Sequence, residues 1–310
     1  MEMRQIGSLR VSVLGLGCNN FGWHIDEEAS QRVIAAALDA GINHFDTADV
    51  YGNTQSEVIL GKALGARRDQ VVIATKFGHK VDETRFGAKP DYVKRAAEDS
   101  LRRLGTDRID LYYLHKPDPT TPIADTLGAL HELVEAGKVR QIACSNFSPE
   151  QLREAEAAAK GGVRFVAVQN EYSLLHREPE KGTLQTCQEL NIAFVPYFPL
   201  KSGLLTGKYR KGVTPPEGRL SGQKGSYFER MGSTHLTEEN LEKVERLIQF
   251  AESRGHSILD LAFAWLLARP QVASVIAGAT KPEQIEANAR AVRWTLTQDD
   301  LQAVDQIVPS

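Results

Sequence analysis

Residues 42–52 read INHFDTADVYG, residues 71–76 read VVIATK, and residues 109–115 read IDLYYLH. Each is an apolar run that halts abruptly at a polar residue: Asp46 with Tyr51 just beyond it, Lys76, and His115. Short apolar runs bounded in this way read as buried strands. In a barrel of parallel strands such stopping points lie around one rim, so residues distant in sequence converge on one pocket. A tyrosine hydroxyl beside a lysine ammonium, with an acid to hold the lysine and an imidazole opposite, is a device for protonating a carbonyl oxygen. The chemistry this suggests is reversible carbonyl reduction. Taken singly, a lysine or histidine at a strand end is more often solvated or structurally satisfied.

Outward from these three runs the same rhythm continues. An opening hairpin is expected where RQIG meets LRVS near Gly7 and Ser8, followed by VLGLG at 13–17 and, further on, by VRQIACSN, FVAVQN, IAFVPYFP and VASVIAGA. With the first three runs this makes eight strands. Amphipathic segments lie between them, several beginning at Asp, Ser, Thr or Pro and several ending in Gly, as helix caps should. The pattern predicts an α/β fold, a (β/α)₈ TIM barrel that takes residues 1–310 as one domain. Residues 199–236, rich in Gly, Pro, Ser and Lys, form a long connection after strand seven that does not read as helical. Long connections of this kind inside compact domains are usually functional, and a lid is expected here.

Composition narrows the partners. The 310 residues carry 37 basic and 40 acidic side chains, a net charge of -3, which gives no electrostatic case for nucleic acid or an anionic membrane surface. Small molecules are the expected partners, and the oligomeric state is left open. Cys18, Cys144 and Cys187 are odd in number and form no CxxC pair, which speaks against a disulfide framework and for a cytoplasmic location. MEMRQIGSLR has no apolar h-region, and ILDLAFAWLLA is short and interrupted by Asp260, so neither secretion nor a membrane span is expected. The histidines show no metal-ligand spacing, and HELVE at 131–135 lacks the second histidine of a zinc protease motif. No metal is predicted.

Two glycine patterns fail as nucleotide fingerprints. Gly15 and Gly17 make a GxG, but Asn20 stands where a third glycine is needed; in GLLTGKY only three residues separate Gly203 from Gly207, and Tyr209 follows Lys208. The segments GINHFDTADVYG, VVIATKFG, RLGTDRIDLYYLH, GKVRQIACSNF, VAVQNEYSLL, VPYFPLKSGLLTGKY and AGATKPEQIEANARA, in this order, carry a different likeness. Over essentially its whole length the chain resembles the aldo-keto reductases, NADPH-dependent barrel enzymes, and most closely a bacterial branch with a long loop after the PY(S)PL-type stretch.

The resemblance implies a catalytic tetrad of Asp46, Tyr51, Lys76 and His115, with hydride supplied by the cofactor. It places the carboxamide of the nicotinamide at Ser145, Asn146 and Gln169, and the nicotinamide ring on Tyr197. Phe198, Leu200, Ser202, Gly203 and Lys208 would clasp the pyrophosphate. Gly278, Thr280, Lys281, Gln284 and Asn288 would surround the adenine and the 2'-phosphate, at a helix start where TKPE reads as a capping box between Thr280 and Glu283. Gln284 stands where many members have arginine, and an amide cannot replace the bidentate guanidinium contact to phosphate. NADPH is the expected cofactor because Lys281 supplies a cation, with NADH possible. Asn20, Trp23 and Phe86, with Cys18 and Asn19, fall where walls of a substrate pocket would lie, although simple packing under a loop fits Trp23 and Phe86 equally well. Sugar aldehydes, aromatic aldehydes, ketones and pyridoxal all remain open as substrates. Two rival readings stand beside the reductase: a Schiff-base aldolase using Lys76, and a cofactor-sensing barrel that has lost turnover.

Overall fold

A computed structural model describes residues 1–213, 220 and 234–309. Eight strands form one parallel sheet: β3 (Leu14–Gly17), β4 (His44–Asp46), β5 (Val72–Phe77), β6 (Ile109–Leu114), β7 (Val139–Ser145), β8 (Phe165–Glu171), β9 (Ala193–Tyr197) and β10 (Val275–Gly278). The spatial order is β10-β3-β4-β5-β6-β7-β8-β9, and a parallel bridge from Phe194 to Val272, just before β10, brings the two ends together. The result is a nearly closed barrel. Strands buried on both faces read as continuous apolar runs, which is why they stood out in the sequence.

The hairpin lies where it was expected, with β1 (Met3–Ile6) and β2 (Leu9–Ser12) antiparallel about Gly7, whose φ is +55°. Its Ile6, Leu9 and Val11 form one buried cluster with Val72, Leu111, Ala143, Ala167 and Val195 from the barrel interior. The hairpin thereby plugs one end of the barrel. The pleat sends alternate residues the other way, so Ile73, Tyr112, Ile142, Val168 and Phe194 join the larger apolar cluster under the helices.

Helices fill the connections: α1 (Glu27–Asp39), α2 (Gln55–Leu64), α3 (Pro90–Leu104), α4 (Ile123–Glu135), α5 (Pro149–Ala159), α6 (Thr183–Leu190), α7 (Glu238–Ser253), α8 (Ile258–Leu267), α9 (Pro282–Ala291) and the terminal α10 (Gln298–Ile307). Asp26, Ser148, Ser257 and Thr297 each accept a backbone N–H at a helix start, a contact worth about 1 kcal/mol apiece. Among the described residues no helix is long and apolar enough to cross a membrane.

Two sequence expectations need correction. The capping box at α9 is not made by Thr280 and Glu283. Pro282 is the first helical residue and Lys281 the N-cap, so the third helical position is Gln284, whose amide oxygen accepts from Thr280 N (2.7 Å) and Lys281 N (3.3 Å). Nor is the stretch after β9 wholly without helical structure. Lys201–Thr206 is a 3-10 turn, and Leu204, Leu205, Tyr209 and Leu220 are all buried in the main core. The other half of the expected lid at 199–236, residues 214–219 and 221–233, lies outside the described residues.

Candidate active site

Parallel register lines up the strand ends, pairing Gly278 with Gly17, Gly17 with Asp46, Lys76 with Tyr113, and Ser145 with Gln169. Asp46, the last residue of β4, and Lys76, near the end of β5, lie at the barrel mouth, 3% and 0% exposed. The Lys76 ammonium donates to Asp46 Oδ1 at 2.5 Å and to the Thr47 carbonyl at 2.9 Å. Gln169 Nε2 donates to the other carboxylate oxygen of Asp46 at 2.8 Å. Two of the three ammonium protons are thus committed, and the nitrogen lies 5.3 Å from the centroid of the Tyr51 ring. Burial works against the charge on Lys76, yet Asp46 and then Tyr51 outweigh it and raise its pKa above the usual value.

Tyr51 sits on a turn sewn to its surroundings. Thr47 N donates to Ala74 O at 2.8 Å, Asp49 N to Lys76 O at 3.1 Å and Tyr51 N to Ala48 O at 3.2 Å. Thr47 Oγ1 pairs with Ser56 Oγ (2.8 Å), which in turn donates to the Cys18 carbonyl (2.8 Å). Gly52 has φ +55°, and a Cβ there would stand 2.3 Å from the Phe21 carbonyl, so only glycine lets the turn lie against the loop after β3. Burial raises the pKa of the Tyr51 phenol, with Lys76 the largest opposing influence. The lysine therefore offsets only part of the burial effect, and the phenol holds its proton at neutral pH. This differs from a simple depression by the neighbouring cation.

His115 faces Tyr51 edge-on, ring centroids 5.8 Å apart. Its Nδ1 is buried without a hydrogen-bond partner. An orphaned N–H donor costs more than an orphaned lone pair, so the ring proton belongs on Nε2. Burial, then Lys76, His79 and Lys116, hold the imidazole well below its ordinary pKa. A neutral donor results. His79, which the sequence reading passed over, packs edge-on against His115 at 4.4 Å. Its place three residues beyond Lys76 was the only available signal.

The remaining expected residues group as follows. Ser145 Oγ donates to the Gln169 carbonyl (2.7 Å), Asn146 Nδ2 to the His115 carbonyl (3.0 Å) and to Ser145 Oγ (3.1 Å), and Tyr197 OH to Asn146 Oδ1 (2.8 Å), so these five residues form one connected patch of the rim. Phe198 packs edge-on against Tyr197. Phe198, Lys201 and Ser202 have φ of +51°, +44° and +57°, followed by Gly203 at +95°. Within this turn Lys201 N donates to the Phe198 carbonyl (3.0 Å) and Gly203 N to the Leu200 carbonyl (2.9 Å). Leu200 packs against the core, and Lys208 lies over the Tyr209 ring at 4.9 Å. Across the mouth Gly17 and Gly278 leave a low edge, where a Cβ on Gly278 would come within 3.2 Å of Asn19 Oδ1 and Asn20 Nδ2. Thr280, Lys281 and Gln284 are exposed or partly exposed at the start of α9, whereas Asn288 is buried within it.

The substrate-wall residues divide. Asn20 is 5% exposed, and its Nδ2 donates to the Ala279 carbonyl at 3.2 Å, so it ties the loop after β3 to the end of β10 instead of presenting an open wall. Trp23, stacked on His24, and Phe86 are 61% and 53% exposed. They are not packed under a loop. Among the described residues no group of three or more His, Cys, Asp or Glu side chains could hold a metal ion.

A parallel barrel with a lysine, an acid, a tyrosine and a neutral imidazole at its mouth defines an oxidoreductase of the carbonyl-reducing kind. The Aldo/keto reductase family profile matches residues 13–309, and the chain belongs to that family. It is 33% identical over 321 residues to an L-glyceraldehyde 3-phosphate reductase of Escherichia coli, covering 99% of this chain and 92% of that protein. It is 36% identical over 311 residues to the Schizosaccharomyces pombe aldo-keto reductase yakc [NADP(+)], covering 95% and 87%. Among solved structures, a glycerol dehydrogenase from Gluconobacter oxydans superposes with a TM-score of 0.85 at 32% identity, covering 98% of this chain and 94% of that one. The protein is an NAD(P)H-dependent oxidoreductase acting on carbonyl groups.

Proposed function

We propose that this enzyme reduces small aldehydes and ketones with NADPH, and that Tyr51 delivers the proton. The observation that carries this reading is the wholly buried Lys76, held by Asp46 and Thr47 beneath the Tyr51 ring. As negative charge develops on the carbonyl oxygen, the Tyr51 O–H gives up its proton and Lys76 stabilises the phenolate left behind. Nε2–H of His115 donates to the same oxygen and fixes the carbonyl plane. Asp46 keeps Lys76 charged, and Gln169 keeps Asp46 oriented.

The residues present fit a nicotinamide dinucleotide. The Tyr197 ring beside Gly17 and Gly278, the polar patch of Ser145, Asn146 and Gln169, and the turn from Phe198 through Leu200, Ser202 and Gly203 to Lys208 would supply a flat wall, amide partners and, in Lys208, a cation for the pyrophosphate. A bound cofactor would supply the hydride. Thr280, Lys281, Gln284 and Asn288 would hold the adenosine end. Trp23 and Phe86 suit an apolar rim above the reacting carbonyl, and the relatives named for glyceraldehyde phosphate and glycerol make short hydroxyaldehydes the first substrates to try.

The aldolase alternative gains no support, because a Schiff-base lysine must be neutral, whereas Lys76 has a raised pKa and two hydrogen bonds to oxygens. A panel of aldehydes followed by NADPH absorbance tests the proposal, and cofactor binding without oxidation by any of them would favour a sensing role. For cofactor choice, Lys281→Ala is expected to weaken NADPH more than NADH in a titration of each. Gln284→Arg would add a phosphate contact worth about 1.5–3 kcal/mol. It would also remove the acceptor that caps α9, a loss of about 1 kcal/mol. Its gain in NADPH preference is therefore expected to come with a lower melting temperature.

A further inference from the structure

Asp49 lies two residues before Tyr51, on the same turn, but its side chain runs toward α3 and not into the mouth. It is 3% exposed. Tyr92 OH donates to its Oδ2 at 3.3 Å, a long bond, and Oδ1 is buried with no partner. The strong donors nearby are taken by a second buried carboxylate: Glu57 of α2, 0% exposed, accepts from Thr75 Oγ1 at 2.5 Å and from Arg103 Nε at 2.6 Å. The other charged groups on the small cavity at Asp49 are occupied as well. Arg85 is bound to Asp82, and Asp99 of α3 to Arg102. Behind them the Tyr112 hydroxyl of β6 is buried and unpartnered.

Two buried carboxylates thus face one partly buried guanidinium, and only Glu57 is bonded to it. An ionised Asp49 would be a desolvated charge with one long side-chain hydrogen bond, from Tyr92, and the adjacent Val50 backbone N–H, and such poorly compensated groups neutralise themselves by holding a proton. We propose that Asp49 functions as a neutral carboxylic acid, and that its proton keeps the Thr47–Gly52 turn seated so that Tyr51 stays over Lys76. This makes Asp49 a positioning residue. Burial first, then Glu57, push its pKa up to about 7, against the opposing influence of Arg103, the Tyr92 bond and the Val50 backbone N–H. When the proton leaves, the carboxylate must reach water. The backbone most directly strained is the Asp49 N–H on the Lys76 carbonyl, which joins this turn to β5. The role in catalysis rests on Tyr51 being the acid; the protonation state does not.

The test compares the native enzyme with Asp49→Asn, a neutral isostere. In the unfolded chain Asp49 ionises near its ordinary value, about 3.9. In the folded chain it keeps its proton to about 7. The native protein should therefore lose stability relative to Asp49→Asn as pH rises from about 4 to about 7, the gap in melting temperature then staying constant. The native protein should also show the infrared carbonyl stretch of a protonated acid at pH 6, absent from the variant. Single-turnover reduction should fall between pH 6 and 8.5 by up to about 30-fold in the native enzyme, since about 3% of such a group stays protonated 1.5 units above its pKa. Asp49→Asn should lack this limb, while any limb from Tyr51 is common to both. Tyr92→Phe, which removes the side-chain bond favouring the charged form, should move the limb to higher pH. A constant stability gap with no protonated-acid band would overturn the neutral Asp49. The band and the widening gap without any difference in rate profile would overturn its link to Tyr51, and a fully active Tyr51→Phe would instead overturn the catalytic reading on which that link rests.

Discussion

Replacing Tyr51 with phenylalanine is expected to lower turnover by at least about 10²-fold, the lower end of what a positioned general acid contributes. NADPH affinity should stay near that of the native enzyme, because the ring is retained and only the hydroxyl is lost. His115 is held neutral and can donate a hydrogen bond, but with its pKa well below the ordinary value it is a poor store of protons. The Lys76 ammonium is tied to Asp46 and Thr47. Tyr51 is left as the group with a proton to give and a cation to receive the resulting charge. Near-native turnover in Tyr51→Phe, measured under single-turnover conditions with several aldehydes, would remove it from the mechanism.

Lys76→Met is expected to be nearly inactive and also markedly less stable. Asp46 is buried, and without the ammonium it would keep only the Gln169 amide as a side-chain donor. Removing one partner of a buried ion pair typically costs about 3–5 kcal/mol, because the other charge is left without compensation. Asp46 should respond by taking up a proton, so the variant should lose less stability at low pH than at neutral pH. The sign follows from linkage: a carboxyl whose folded pKa has risen destabilises the fold once pH exceeds its unfolded value. Thermal melts of the native protein and Lys76→Met across that range check this. Raising the pH should not restore turnover, since the missing group is the cation and not a base.

The barrel was readable because its strands are buried on both faces, so that runs such as VVIATK and IDLYYLH carry no solvent face to obscure them and end sharply at the mouth. Asp46, Lys76 and His115 stood out for the same reason. Elsewhere local rules were available but misapplied. Pro282 at the first helical position places the N-cap at Lys281 and therefore makes Gln284 the residue that reaches back. The glycine count after β9 hid the apolar residues Leu204, Leu205 and Tyr209 that anchor that turn. Other features had no local signal. Asn20 reads as a polar loop residue, and only the approach of β10 makes it a tie to Ala279. Asp49 becomes unusual only because α2 and α3 bring Glu57, Arg103 and Tyr92 beside it, contacts 8 to 54 residues away in the chain that no spacing rule connects.

The central claim is that this barrel passes a hydride to a carbonyl carbon while Tyr51 protonates the oxygen. The most direct measurement is reduction of an aldehyde with NADPH carrying deuterium at its hydride-donating carbon, followed by mass analysis of the alcohol. The account predicts one deuterium on the carbinol carbon for each cofactor oxidised, with transfer reduced by at least about 10²-fold in Tyr51→Phe. Alcohol formed without the label, or label transferred at the native rate by Tyr51→Phe, would contradict it.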